Sequence, residues 1–281
     1  MNLPKLNTLD LFKKYRLRPD KKLGQNFLTD PVSLEKIITA ADINPQDVVL
    51  EIGPGFGSLS RYIATIARTL VCVELDIDLI PPLESVLSQY SNVRIIQADI
   101  LQLIPDQIVE SNDYLVVANV PYYITSAIFR HLLAAKNKPR RIVLTIQKEV
   151  AKRICAKPGD MSLMALSIQI FGEPRIIDTI SAESFYPVPK VDSAIIRVDV
   201  YTQPIVPSAI LDTFFKISKA GFSQKRKTLR NSLSAGLQIS SSEAEEILEK
   251  SKIDPMRRAE TLSIPEWEVL SVNYRQFLEM K

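Results

Sequence analysis

The chain has 281 residues, 46% hydrophobic and 24% charged, with a net charge of +3. That is apolar material for one large domain or two ordinary ones, and it excludes a disordered or fibrous chain. A single histidine, His131, and two cysteines far apart, Cys72 and Cys155, leave no basis for a His-rich metal site, a zinc cluster or a disulfide scaffold.

Residues 8–18 read as a short basic helix, followed by a loop-like KKLGQNFL. Asp30-Pro31 reads as an N-cap with proline at the first helical position, and apolar residues at 34, 37, 38 and 41 continue that helix. Strands are then expected at 47–53, 69–76, 93–99, 114–119 and 141–147, separated by helices near 59–67, 81–90 and 126–136. Such alternation implies a parallel sheet with helices on both faces. Helices near 148–154 and 164–171 and strands at 175–180 and 193–200 complete an α/β domain of residues 1–203. After the prolines of YTQPIVP only helical stretches remain, at 208–220, 226–237, 242–250 and 265–279. Ser242 with Glu245, and Ser263 with Glu266, match capping boxes. Residues 204–281 therefore read as a small all-helical domain. The opening MNLPKLNTLDLFKKY lacks the apolar core and cleavage site of a secretory signal, and no run reaches membrane-spanning length. A cytoplasmic protein without membrane attachment is expected, consistent with its cysteine usage.

Glu51-Ile-Gly53-Pro-Gly55-Phe-Gly57 joins the first strand of the alternating set to its helix. Glycines there let the backbone turn tightly and approach a ligand. Glu74, 21 residues beyond Gly53 at the end of the next strand, can accept both hydroxyls of a ribose. Ser60 stands where a dinucleotide loop needs glycine or alanine, and no Gly-Lys-Ser/Thr follows for a phosphate loop. A nucleoside without phosphate fits better, and Asp99, after the third strand, can accept from an adenine amine. Together these residues suggest S-adenosylmethionine.

Asn119-Val-Pro121-Tyr122 ends the fourth strand on the same sheet edge. The Asn119 side-chain oxygen and the carbonyl before Pro121 can accept the two hydrogens of an exocyclic amine, and Tyr122 can stack on its ring. Two such acceptors favour a more tetrahedral nitrogen and aim its lone pair at a methyl donor, so positioning and electrostatics supply the rate. A base in structured nucleic acid must first be extruded. Phe185, in SFYPVP, is the candidate for the opposite face of that base. Residues 216–230 hold six Lys or Arg and no acid, and residues 1–22 hold seven basic residues and two acidic ones. Local basic patches of this kind are the footprint of a nucleic-acid binder.

At this point the chain resembles the small-subunit ribosomal RNA adenine dimethyltransferases. The resemblance rests on KKLGQNFLTD (21–30), VLEIGPGFGSLS (49–60), VELD (73–76), ADIL (98–101), NVPYYITS (119–126), FYPVPKVDSAIIR (185–197) and GFSQKRKTLRNSL (221–233). It implies a Rossmann-like S-adenosylmethionine-dependent methyltransferase domain and a C-terminal helical RNA-binding domain. It also implies dimethylation of two adjacent adenosines near the 3′ end of small-subunit (16S) RNA, late in assembly of the 30S particle. Carried over, the cofactor contacts are Asn26, Leu28, Gly53, Glu74, Asp99 and Asn119. Asn119, Pro121, Tyr122 and Phe185 hold the base, no metal takes part, and the basic segment with Lys225, Arg226, Lys227 and Arg230 touches RNA. A monomer is expected. The chain has Leu163-Met164 where the family usually has Tyr-Gly. Two other readings are a large-subunit methylase of the macrolide-resistance type, which shares the Asn-x-Pro-Tyr turn, and an RNA-binding assembly or transcription factor that keeps the fold without catalysis.

Overall fold

The protein is described by a computed structural model over residues 3–280. Its strands are β1 (Phe27–Leu28), β2 (Val48–Ile52), β3 (Thr69–Glu74), β4 (Val93–Gln97), β5 (Tyr114–Asn119), β6 (Arg141–Gln147), β7 (Gly172–Ile180), β8 (Phe185–Tyr186) and β9 (Ser193–Val200). Seven of them form one sheet in the order β4-β3-β2-β5-β6-β9-β7. The first five in that order are mutually parallel, as the alternation of strand and helix requires. β9 departs from this and pairs antiparallel with β6. The chain enters β9 from a segment without a crossover helix, so the constraint that makes βαβ units parallel does not act there. β2 is buried along its whole length and β6 over its five central residues, which is why both read as unbroken apolar runs.

The helix Pro31–Ala41 begins as its sequence indicates. The Asp30 carboxylate accepts from the amides of Val32 and Ser33, and Pro31 occupies the first turn. Its buried face, Leu34, Ile37, Ala40 and Ala41, follows helical spacing into the core. Replacing Asp30 with alanine removes a cap worth about 1 kcal/mol. β1 and β8 form a separate two-residue antiparallel ladder, with Phe27 opposite Tyr186 and Leu28 opposite Phe185. Nothing in a two-residue strand carries a period, and this ladder was not expected.

The chain divides into two compact units. One takes residues up to Ala151 together with Glu173–Val200; the other takes Lys152–Gly172 together with Tyr201 onward. The sequence boundary near residue 203 therefore leaves out a piece: 152–172 belongs with the C-terminal helices. Hydrogen bonds explain why. The amides of Gly159 and Met161 both donate to the Glu260 carbonyl, at 2.9 and 3.1 Å, and the Tyr201 amide donates to Phe171 O at 2.8 Å. The second unit contains helices Leu211–Gly221, Leu229–Leu237, Ser241–Lys250 and Ile264–Glu279, with Phe214, Trp267 and Tyr274 fully buried. Ser263 and Glu266 form the expected capping box. The other box is formed by Ser240 and Glu243 rather than Ser242 and Glu245. Ala244, Ile247 and Leu248 form the buried face of this helix. No helix among the described residues is long and apolar enough to cross a membrane.

Candidate active site

One cavity lies against the carboxyl ends of β2, β3, β4 and β5, wholly within the first unit. The strand order reverses direction at β2 and β5, where open α/β sheets bind ligands. Of the residues expected to touch cofactor or base, Asn26, Leu28, Gly53, Glu74, Asp99, Asn119, Pro121 and Tyr122 all line this cavity.

Gly53 has φ +65°, and a Cβ placed on it would meet no atom within 4 Å. Its backbone therefore faces open space that a ligand can enter. Gly55 serves a different purpose: a Cβ there would lie 2.9 Å from the Phe27 ring. Its absence lets Phe27 pack with Phe56 and Phe12, whose rings meet at centroid distances of 4.8 to 5.2 Å, behind the loop.

Glu74 is only 6% exposed. Its Oε2 accepts from Gly55 N at 3.0 Å and its Oε1 from Asp76 N at 2.9 Å. Each oxygen keeps a lone pair for a ribose hydroxyl. Burial raises the Glu74 pKa, opposed by those backbone donors. Asp99 Oδ1 accepts from Leu101 N at 2.9 Å, and Oδ2 carries no hydrogen bond among the described residues. That oxygen is free for an adenine amine. A buried carboxylate with two spare lone pairs, a free Asp oxygen and an unobstructed glycine together fit S-adenosylmethionine.

Among the cavity residues that the sequence reading did not single out are Glu51 and Tyr123. Glu51 is fully buried, and burial pushes its pKa up to about 8. The Cys72 thiol lies 3.6 Å from its Oε2, and burial raises that thiol's pKa as well. A strand acid one residue ahead of a turn looks solvent-facing in sequence; only the neighbouring strand covers it. Tyr123 is 60% exposed and lies against Gly24, where a Cβ would meet the ring at 3.2 Å. Its adjacency to Tyr122 was the available signal.

The segment Gly24–Leu28 borders the cavity opposite the sheet edge. Asn26 Nδ2 donates to Gly24 O at 3.1 Å, and Gln25 Nε2 donates to Asp76 Oδ2 at 2.6 Å. Asn119 Nδ2 donates to Asn26 O at 2.9 Å. This bond orients the amide, since with the nitrogen committed Oδ1 is the acceptor left for a substrate. The Val120 carbonyl also carries no hydrogen bond among the described residues. Tyr122 shares a hydrogen bond with Ser193 Oγ at 2.7 Å, which fixes its half-buried ring, and burial raises its pKa. The Thr125 hydroxyl donates to Tyr122 O at 3.1 Å and steadies the turn.

Two expected roles meet a different arrangement. Phe185 is 2% exposed, packs in the main core and does not line the cavity. Its place opposite Leu28 in the ladder turns the ring into the core and away from the cofactor cavity. Lys225, Arg226 and Lys227 are exposed in the turn between two helices, but Arg230 is half-buried and pairs with Glu245 at 3.3 Å. Helix packing thus separates Arg230 from the free cations. His131 does not line the cavity. Among the described residues no group of three His, Cys, Asp or Glu side chains could hold a metal ion.

Comparison with known proteins follows the same lines. The ribosomal RNA adenine dimethylase family matches residues 16–269. The ribosomal RNA small subunit methyltransferase A of Dehalococcoides mccartyi is 44% identical over 266 residues, 94% of this chain and 91% of that protein. A dimethyladenosine transferase from Plasmodium falciparum shares the fold, with TM-score 0.77 and 24% identity over 89% of this chain and 98% of its own. The 23S rRNA methyltransferase ErmE superposes with TM-score 0.71 at 27% identity, over 89% of this chain and 100% of its own. Since the family match takes in every strand end that borders the cavity, the chain belongs to the ribosomal RNA adenine dimethylase family, whose methyl donor is S-adenosylmethionine.

Proposed function

We propose that the protein dimethylates the exocyclic N6 amine of two adjacent adenosines near the 3′ end of small-subunit (16S) ribosomal RNA. The observation that carries this reading is the Asn119 amide, oriented by Asn26 so that an oxygen acceptor remains at the end of β5. S-adenosylmethionine supplies an electrophilic sulfonium methyl when bound. Glu74 and Asp99 hold the nucleoside, and the Gly24–Leu28 segment borders the site. Asn119 Oδ1 and Val120 O accept the two amine hydrogens, and Tyr122, its ring fixed by Ser193, stacks on the extruded base. A neutral phenol and a neutral amide suffice, because the reaction needs alignment and dipoles more than a strong base.

Exposed Lys225, Arg226 and Lys227 supply phosphate contacts, with the part of the chain from residue 204 onward, built on the C-terminal helices, as the RNA-binding part. The substrate on this reading is RNA within a partly assembled 30S particle, late in biogenesis, and the enzyme is a cytoplasmic monomer. The relative named for the small subunit, at 44% identity, supports that branch over the large-subunit one, represented at 27%. The test offers labelled S-adenosylmethionine with unmethylated small subunits and with large-subunit RNA, and identifies nucleosides by mass. Dimethyladenosine from the small subunit alone is expected. Label in large-subunit RNA overturns the branch, and no label with RNA still bound overturns catalysis.

A further inference from the structure

A second recess lies across the β1–β8 ladder from the cofactor cavity. Its walls are Lys5–Leu9 on one side and Thr29, Phe185 and Tyr186 on the other, around about 520 Å3. That is within the range of pockets that bind small ligands, about 300–1,000 Å3. Phe185, which resemblance assigns to the base, borders this recess and not the cofactor cavity.

Three side chains in it leave polar atoms without a partner among the described residues. Thr8 is 3% exposed, and its Oγ1 is buried without a hydrogen-bond partner among the described residues. An orphaned buried hydroxyl is costly unless a ligand satisfies it. Lys5 is exposed and makes no ion pair among the described residues; Asp30, the carboxylate that feels its charge, is engaged by the amides of Val32 and Ser33 and the Ser33 hydroxyl. Tyr186 is 38% exposed, its ring 5.6 Å from Phe12, and its hydroxyl makes no hydrogen bond among the described residues. Asn7 and Asp10 are not available, because the Asn7 amide is bonded to the Asp10 side chain and backbone.

We propose that this recess holds the nucleotide next to the target adenosine on the same RNA strand, with its base on Tyr186, its phosphate at Lys5 and a sugar hydroxyl on Thr8 Oγ1. The proposal rests on the function proposed above. Leu28 borders the cofactor cavity and its ladder partner Phe185 borders the recess. Paired strand residues are about 5 Å apart, so the width of the ladder separates the recess from the cavity at this point. A cation, an aromatic face and an orphaned hydroxyl are the chemistry of a single-stranded nucleotide site. Two adjacent adenosines cannot occupy one pocket, so while one is methylated the other needs a resting place.

The test compares Tyr186→Ala, Tyr186→Phe and Thr8→Val with wild type for RNA KM, kcat, S-adenosylmethionine affinity, thermal midpoint and affinity for the dinucleotide ApA against AMP. Tyr186→Ala is expected to raise the RNA KM about ten- to a hundredfold, with cofactor affinity unchanged and the phenylalanine variant near wild type. Thr8→Val is expected to raise KM severalfold. If Tyr186→Ala lowers the thermal midpoint, Lys5→Gln replaces it, with a fall of about 0.7 in the salt slope of RNA binding expected. A Thr8→Val protein that is more stable with KM unchanged marks an idle hydroxyl and overturns the proposal, as does AMP binding as tightly as ApA. Wild type that methylates both adenosines beside variants with unchanged KM sinks this subsite alone. Wild type that methylates no ribosomal RNA sinks the function itself.

Discussion

Gly53→Ala separates the shape of the cofactor cavity from the stability of the fold. Gly53 has φ +65°, where an L-residue pays about 1–2 kcal/mol. Beyond its chain neighbours no atom of the described residues lies within 4 Å of the new Cβ, so no clash with the rest of the fold adds to that strain. Against a domain stability of about 5–15 kcal/mol, the variant stays folded. The methyl instead occupies the space a ligand needs. Overpacking by one methyl group costs about 1–3 kcal/mol. At about 1.4 kcal/mol per tenfold, S-adenosylmethionine binding weakens by about five- to 150-fold. Gly236→Ala is the control. Its Cβ would lie 2.7 Å from Ala220 Cα, so it loosens the packing of Leu229–Leu237 on Leu211–Gly221 while cofactor affinity holds. Calorimetric titration with S-adenosylmethionine, paired with thermal unfolding, measures both quantities. A Gly53→Ala protein that binds the cofactor within twofold of wild type refutes the placement of that backbone against the ligand.

Asn119→Ala removes the amine acceptor and the bond to Asn26, so methyl transfer is expected to fall about a hundredfold or more in single-turnover assays while RNA affinity stays within twofold. An equal loss of RNA affinity contradicts the role. Changing Lys225, Arg226 and Lys227 together to glutamine is expected to weaken RNA binding and lower its salt slope by about 2, at roughly 0.7–0.9 per phosphate contact. A filter-binding slope that does not change takes this turn out of the interface. Burial raises Glu51 from 4.5 to about 8, so between those values the folded protein holds a proton that the unfolded chain releases. Stability from this group is complete below about pH 4.5 and is lost as pH rises towards 8, by up to about 1.4 kcal/mol per unit. Glu51→Gln should flatten that fall in denaturation measured at pH 6 and pH 8, with the raised Glu74 supplying what slope remains. Identical pH dependence in variant and wild type rules out a protonated Glu51.

Local patterns carried much of the architecture. The apolar runs of β2 and β5 read correctly because strands buried on both faces need no alternation. Asp30-Pro31 and Ser263 with Glu266 marked helix starts because a cap is made by residues two or three positions apart. Gly53, Glu74, Asp99 and Asn119 could be gathered into one site from sequence, since each stands at the end of a strand and parallel strands bring those ends to one edge. What went unread depends on partners remote in the chain. The β1–β8 ladder joins segments 155 residues apart at Thr29 and Ser184, and it is this pairing that turns Phe185 into the core. Glu245, outside the basic segment, claims Arg230, and Glu260 draws residues 159–161 to the C-terminal helices. The Glu51 pKa is pushed up to about 8 because burial beside β3 desolvates a carboxyl that sequence shows as one more acid. A residue's type sets what it can do, but its burial and partner are set by whichever distant segments the packing places against it.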